Sequence, residues 1–229
     1  MALSNKQRVI AALLCLLVAS AAAVFTLRES RAPVAQLNAG VLLAPAQPLP
    51  DFQLINERKQ PVTKADLRGK WHLLSYGYTY CPDVCPTTLS TLVQLRRRLD
   101  ELGPGQGEMS GELNFLFYTI DPQRDTPDKL ADYMAYFGHR FTALSQPQPP
   151  QAKVFEQALG IKAQIYATPA EPDNYQVSHG LALYLINPRA ELQAVFTPLT
   201  GTLGMAHFNL DWLLEDYLAV RREYRGDKR

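Results

Sequence analysis

A cysteine pair at the junction of a predicted strand and a predicted helix constrains the fold more than any other feature of the sequence. The run WHLLSYGYT (71–79) is rich in apolar and aromatic residues, which is typical of a buried strand. Cys81 and Cys85 follow it, with three residues between them. Pro86 then stands at a position that favours the first turn of a helix, and leucines at helical spacing continue from it. A strand, a cysteine loop and a helix are therefore expected in direct succession.

The rest of the chain alternates between strand-like and helix-like segments. Extended segments are predicted at 51–56, 112–120, 161–167, 180–188 and 191–198. Helical segments are predicted at 63–70, 127–137, 154–159 and 206–224. Buried strands separated by helices favour a central sheet that is covered on both faces. With a cysteine motif directly after a strand, this order predicts an α/β protein with a thioredoxin-like fold, in which helices flank a central mixed sheet.

An apolar N-terminal run precedes this domain. Residues 9–27 contain no charged side chain and are just long enough to cross a bilayer core as a helix. We favour an uncleaved transmembrane anchor. The alternative is a cleaved signal peptide, because ASAAA (19–23) offers small residues of the right kind. Both interpretations place the globular part outside the cytoplasm. The predicted division is a cytoplasmic N-terminus at 1–8, the anchor at 9–27, a linker at 28–50, the domain at 51–224 and a C-terminal tail at 225–229.

Bulk charge says little about partners. The chain of 229 residues has a formal net charge of +1, which gives no electrostatic footprint for nucleic acid. Three cysteines are too few for a disulfide scaffold, and one of them, Cys15, lies in the apolar N-terminal run. Function must therefore be argued from the pair Cys81 and Cys85.

Three kinds of site fit this pair: a structural disulfide, a redox pair or a metal clamp. A helix N-terminus lowers the pKa of a thiol and favours the thiolate, which attacks disulfides and binds metals. A disulfide that closes so short a loop contributes little stability. The usual exchange motif has two residues between its cysteines, and here there are three. Redox and metal chemistry both remain open on these grounds.

A third metal ligand is available among the four histidines of the chain. Ordinary structural roles suit His72 in a strand, His139 at a helix end and His207 at the start of the last helix. His179 differs, because it lies in the loop before the predicted strand 180–188, and that loop faces the cysteine loop in a thioredoxin-like fold. Two thiolates and an imidazole suit a soft monovalent copper ion.

Three segments resemble those of the Sco/SenC family of copper-binding proteins: GYTYCPDVCP (77–86), YTIDPQRDTPDKLADYMAYFG (118–138) and YQVSHG (175–180). The resemblance runs from about residue 47 to 220. It implies that Cys81, Cys85 and His179 bind a copper ion, as Cu(I) or Cu(II). It also implies a single-pass protein of the inner membrane with its thioredoxin-like domain on the periplasmic side.

The resemblance further implies a role in cytochrome c oxidase assembly. The protein would deliver copper to the CuA site of subunit II, after receiving it from a donor protein. The alternative is an enzyme, a thiol–disulfide oxidoreductase in which Cys81 and Cys85 keep the CuA-site cysteines reduced. A peroxiredoxin-like peroxidase fits poorly, because Tyr76 stands where that family has a proline.

Several residues around the ligands are expected to surround the site. The resemblance implies that Asp121 lines the site. The alternative is that Asp121 only caps a turn. Tyr80 stands where the family often has His, and Ser178-His179-Gly180 stands where it often has Asp-His-Ser, so Tyr80 and Ser178 are expected to tune the metal. Arg124 and Asp125 are interpreted as a surface pair or cap.

Overall fold

The computed structural model of the protein describes residues 36–102, 113–138, 141–146, 149–168, 171–201 and 205–226. The predicted membrane segment at 9–27, Cys15 and His139 lie outside these ranges. Within them, no helix is both long enough and apolar enough to span a membrane.

The described strands form one large mixed sheet and two small ribbons. They are β1 (Gly40–Pro48), β2 (Gln53–Asn56), β3 (Pro61–Thr63), β4 (Trp71–Gly77), β5 (Leu113–Thr119), β6 (Phe141–Ser145), β7 (Ala163–Thr168), β8 (Glu171–His179), β9 (Leu183–Ile186), β10 (Glu191–Phe196), β11 (Leu199–Thr200) and β12 (Ala206–His207). The large sheet has eight strands in the order β1-β10-β9-β4-β5-β6-β2-β3. Strands β4, β5 and β6 are parallel, whereas β9 runs antiparallel to β4. The ribbons are β7–β8 and β11–β12.

Helices cover one face of the sheet, and a helix with a hairpin covers the other. The helices are α1 (Val84–Asp100), α2 (Pro127–Phe137), α3 (Pro149–Leu159) and α4 (Leu210–Gly226), with a 3₁₀ turn at Lys64–Leu67. Buried residues of α1, α2 and α4 share an apolar cluster with Trp71 and Leu73 of β4. Residues of α3 and β8 share a second cluster with Leu74 and Tyr76. Successive side chains of β4 thus enter opposite cores, as the pleat of a strand requires.

The predicted linker is wrong for residues 40–48, which form the edge strand β1. It pairs antiparallel with β10, with a register shift between Leu42 and Gln47. Pro45 lies within that irregularity, where a residue without an N–H is tolerated at a sheet edge. The buried carboxylate of Asp216 on α4 accepts hydrogen bonds from the backbone N–H groups of Asn38 (2.7 Å) and Ala39 (2.9 Å). The folded domain therefore begins before residue 51.

Candidate metal centre

The cysteine loop lies between β4 and α1, as predicted, but the helix starts earlier than Pro86. Helix α1 begins at Val84, so Cys85 lies in its first turn. Both thiols are free, and Cys81 and Cys85 are 8% and 3% exposed. They belong to the apolar cluster that lies on the α3 and β8 side of the sheet. The positive end of the α1 dipole lies beside this pair and favours one negative charge shared between the two sulfur atoms.

Gly77 at the end of β4 leaves the space that the Cys85 sulfur occupies. A Cβ atom at position 77 would lie 2.5 Å from Cys85 Sγ and 3.4 Å from the Phe117 ring. The first distance is far below a van der Waals contact, so no other residue fits here without displacing the thiol. The glycine is thus required by a close approach of backbone and sulfur.

His179 ends β8 rather than lying in a free loop, and the chain brings it to the cysteines. Its Nδ1 lies 2.6 Å from the Gly180 carbonyl oxygen, and the oxygen can only accept, so Nδ1 carries the proton. That tautomer leaves the Nε2 lone pair free, 3.9 Å from Cys85 Sγ. The rings of Tyr76 and Tyr78 lie 5.5 and 5.9 Å from the imidazole, centroid to centroid. The hydrogen bond to Gly180 and the two aromatic rings therefore fix the orientation of the imidazole.

The ligand atoms of Cys81, Cys85 and His179 all lie within 4.8 Å of one another. Two sulfur atoms and one imidazole nitrogen form a soft donor set that suits monovalent copper in a near-trigonal arrangement. His179 is partly exposed while both cysteines are buried, so the cluster opens to solvent on the histidine side. A metal held here would be accessible to a partner from that side.

The two thiols have opposite shifts in pKa. A hydrogen bond from the Cys85 thiol is the largest cause that lowers the pKa of Cys81 to about 4, although burial acts the other way. The same bond to the Cys81 sulfur, together with burial, raises the pKa of Cys85 well above its usual range. In the reduced protein at neutral pH, Cys81 is therefore the thiolate and Cys85 the thiol that donates to it.

Asp121, which is expected to line the site, is joined to the strand that carries His179 through other residues. It is 1% exposed and lies two residues after the end of β5. Its carboxylate accepts hydrogen bonds from the Tyr175 hydroxyl and from Arg124 Nε, both at 2.5 Å. Arg124 Nη1 also donates to the Tyr175 carbonyl oxygen at 2.9 Å. Because Tyr175 is on β8, Asp121 and Arg124 fasten the strand that carries His179.

Asp125 was missed as a functional residue, because the sequence interpretation placed Arg124 and Asp125 at the surface. Asp125 is fully buried. Its carboxylate accepts bonds from the Thr79 N–H (3.0 Å), the Thr79 hydroxyl (2.6 Å) and the Thr119 hydroxyl (2.6 Å). The pKa of Asp125 is raised because burial outweighs the three bonds, which act to lower it. A carboxylate in the loop after a strand that ends near the cysteine loop was the available signal. Asp125 fastens Thr79, two residues before Cys81.

Tyr80 and Ser178 were expected to lie against the metal ligands, but the structure places both of them away from the ligand cluster. Tyr80 is 56% exposed, its hydroxyl accepts from Lys129 Nζ at 2.8 Å, and Arg124 Cζ lies 4.9 Å from its ring centroid. It therefore belongs to the rim of the site. Ser178 is exposed and, as the neighbour of His179 on β8, points to the opposite face of that strand.

The other described histidines lie apart from the cluster. His72 is buried in β4, where its Nε2 lies 3.0 Å from the Leu67 carbonyl oxygen. His207 is in β12 rather than in the last helix, which begins at Leu210. The predicted structural role of His72 agrees with its burial.

Comparison with known proteins decides the family. The SCO1/SenC family profile matches residues 43–208 of the chain. The chain belongs to the SCO1/SenC family. The resemblance of its three motifs to that family is confirmed.

Relatives from bacteria and animals support this assignment. A protein of Stutzerimonas stutzeri that is named for copper binding is 37% identical over 156 residues, which cover 68% of this chain and 72% of that protein. The mitochondrial SCO2 homologue of Bos taurus is 38% identical over 139 residues, which cover 60% of this chain and 49% of that protein. The chain thus spans about half the length of this mitochondrial relative.

A solved structure supports the fold and the metal. The crystal structure of Arabidopsis thaliana ScoI with copper bound aligns with a TM-score of 0.62 and 25% identity, covering 76% of this chain and 98% of that chain. The predicted thioredoxin-like α/β fold with a central mixed sheet is confirmed. Copper is the metal that the Cys81, Cys85 and His179 donor set and these relatives support.

Proposed function

We propose that the protein is a copper chaperone that binds one copper ion with Cys81, Cys85 and His179 and delivers it during cytochrome c oxidase assembly. The observation that carries the proposal is the convergence of the three ligand atoms within 4.8 Å. Two thiolates would hold Cu(I), and the neutral imidazole would complete the site through Nε2. Both cysteines must be reduced to bind, so oxidation to a disulfide would switch binding off.

Release of copper depends on access to the site. His179 is the partly exposed ligand, so an incoming thiolate of a partner would displace the imidazole before the buried sulfurs. Each later step exchanges one thiolate for another, with no change in the oxidation state of copper. We propose that the acceptor is the CuA site of cytochrome c oxidase subunit II, and that a separate donor protein loads the site.

We further propose that residues 9–27 tether the domain to the inner membrane, with the domain on the periplasmic side. Support comes from the uncharged length of that run and from the position of the domain downstream of it. The full-length protein should stay with membranes after a carbonate wash, whereas a chain that starts at residue 29 should be soluble. Release of the full-length protein by carbonate would contradict the tether.

The copper-binding proposal is tested by stoichiometry. The full-length protein, reduced and purified in mild detergent, is mixed with Cu(I) without oxygen and passed over a chelating resin that removes weakly held metal. We expect about one tightly bound ion per chain, lost in His179→Ala and in Cys81→Ser. Gln176→Ala, at an exposed position on the same strand, is the matched control and should bind normally. Absence of tight copper in the unchanged protein would sink the proposal.

A second function is favoured by one observation, the opposite pKa shifts of two adjacent free thiols. A Cys81 thiolate could attack a disulfide of the oxidase subunit, and Cys85 could then resolve the mixed disulfide. The partner would gain two thiols while Cys81 and Cys85 form a disulfide. His179→Ala separates the two functions. If this variant binds no copper but reduces a disulfide substrate at the normal rate, the oxidoreductase function does not depend on copper binding.

A further inference from the structure

A cavity of about 240 Å³ lies beside the cysteine loop and is not part of the ligand cluster. Asp83 and Val84, which stand between the two cysteines, line one side together with Thr87 of α1. The β11–β12 ribbon lines the other side, through Met205 and His207. The cavity thus places a thioether and an imidazole against the segment that carries Cys81 and Cys85.

Met205 and His207 lie at one end of the β11–β12 ribbon and line the same cavity. Leu199 pairs with His207, and the Gly201 N–H donates to the Met205 carbonyl oxygen at 3.0 Å. Gly201 therefore lies opposite Met205 and diagonally opposite His207. A Cβ atom at Gly201 would be 3.6 Å from His207 Cε1 and Nδ1, so the imidazole lies over the glycine that pairs with Met205.

The residues on the ribbon side of the cavity are exposed and therefore accessible to a ligand. Met205 is 56% exposed, although methionine is ordinarily a core residue that fills apolar gaps. His207 is exposed as well. Asp83, at the N-cap position of α1, lines the cavity, and its Oδ1 accepts a long hydrogen bond from the Thr87 hydroxyl at 3.5 Å. A thioether, an imidazole and a carboxylate therefore meet in one open cavity.

We propose that this cavity is a second copper site, in which the Met205 thioether and the His207 imidazole bind a cuprous ion beside the cysteine loop. Thioether sulfur is a soft ligand that selects Cu(I) over divalent copper and zinc, and imidazole binds copper readily. With neutral ligands in an open cavity, this site binds more weakly than the thiolate site. It is independent of Cys81, Cys85 and His179.

The test uses the full-length chain with selectively ¹³C-methyl-labelled methionine and a triple variant, Cys81→Ser/Cys85→Ser/His179→Ala, that lacks the first site. Cu(I) is added without oxygen, and the methionine methyl resonances are followed by NMR. We expect the Met205 methyl to shift and saturate at about one ion per chain in the triple variant. Met134, a buried methionine, is an internal control whose methyl should not move.

Variants of the cavity identify the ligands. Adding Met205→Leu or His207→Gln to the triple variant should abolish saturable binding, whereas Met205→His should restore it with another ligand. If the triple variant binds no Cu(I), or binds it without moving the Met205 methyl, the second site is refuted. This failure is distinct from failure of the chaperone proposal, which is measured as tight copper in the protein that retains Cys81, Cys85 and His179.

Discussion

Gly77 shapes the metal centre by the absence of a side chain. The variant Gly77→Ala would put a Cβ atom 2.5 Å from Cys85 Sγ, so the thiol must move out of its position beside Cys81 and His179. We expect Cu(I) affinity to fall about 10–100-fold, the usual cost of disturbing the surroundings of metal ligands. The measurement is competition with a chromophoric Cu(I) chelator. Ser75→Ala, at another buried position of β4, is the control for the strand, and an unchanged affinity in Gly77→Ala would contradict the steric argument.

The Cys81 thiolate gives the site a pH dependence. Because the pKa of Cys81 is lowered from 9.0 to about 4, the thiolate persists as the pH falls from neutral and is lost only near pH 4. Alkylation of Cys81 by iodoacetamide should therefore remain fast at about pH 6. Cys85→Ala removes the hydrogen-bond donor that is the largest cause of the shift, so the rate at that pH should fall by about 2–10-fold, since the loss of thiolate outweighs the higher nucleophilicity of a more basic sulfur. Equal rates in both proteins would show that Cys85 does not stabilise the thiolate.

The ligands could be predicted from the sequence, but most of their surroundings could not. Cysteine and histidine are scarce in this chain, so only Cys81, Cys85 and a histidine near a strand end were candidates. Asp125 could not be distinguished in the same way, because aspartate is common and its role arises from a contact with Thr79, 46 residues away in sequence. Long-range hydrogen bonds leave no local pattern in a sequence.

At the level of elements, the segment between β5 and α2 fastens both parts of the metal centre. Asp121 and Arg124 bind Tyr175 on the His179 strand, and Asp125 binds Thr79 at the cysteine loop. The ligands come from separate parts of the chain, so their distances depend on this shared segment. The motif of this segment could be recognised in the sequence, but strand β8 was not predicted. This strand pairs with β7, for example at Ala163 and His179, in a ribbon outside the main sheet.

Asp125→Asn tests this arrangement. An amide has one acceptor oxygen, and its nitrogen cannot accept from the three donors that converge on the Asp125 carboxylate. We expect the cysteine loop to loosen and Cu(I) affinity to fall about 10–100-fold while the fold is retained. Asp128→Asn is the matched control, because Asp128 is an exposed carboxylate in the first turn of α2, paired with Lys59 at 3.0 Å. Equal losses in both variants would refute a specific role for Asp125.

The central strand β4 carries its own pH sensitivity through His72. Burial lowers the pKa of His72 from 6.5 to about 4, so the folded protein keeps the imidazole neutral where the unfolded chain takes up a proton. The stabilisation is complete above about pH 6.5 and is lost as the pH falls toward 4, up to about 3 kcal/mol. In His72→Leu, the free energy of unfolding should fall less over this range, as measured by urea titration of the reduced protein. His207→Gln, at an exposed histidine, should keep the slope of the unchanged protein.

At the scale of the whole molecule, the edge strand decides where the stable domain begins. The prolines and low charge of 28–50 are typical of a linker, so the sequence placed the boundary at residue 51. The structure instead joins β1 to β10 and ties Asn38 and Ala39 to α4 through Asp216. These contacts are long-range, and Pro45 obscures the strand pattern because it lies in a bulge.

The boundary can be measured by comparing chains that begin at residues 36 and 51. The shorter chain exposes the edge of β10 and leaves the carboxylate of Asp216, 1% exposed in the complete domain, without its backbone donors. We expect its free energy of unfolding to be lower by at least about 2 kcal/mol, since a buried acceptor without partners alone costs about 1–3 kcal/mol. Asp216→Ala in the longer chain should reproduce part of that loss, because it removes the same contacts but keeps β1. If both chains unfold at the same urea concentration, β1 is a linker that happens to lie along the sheet, and the domain begins where the sequence pattern placed it.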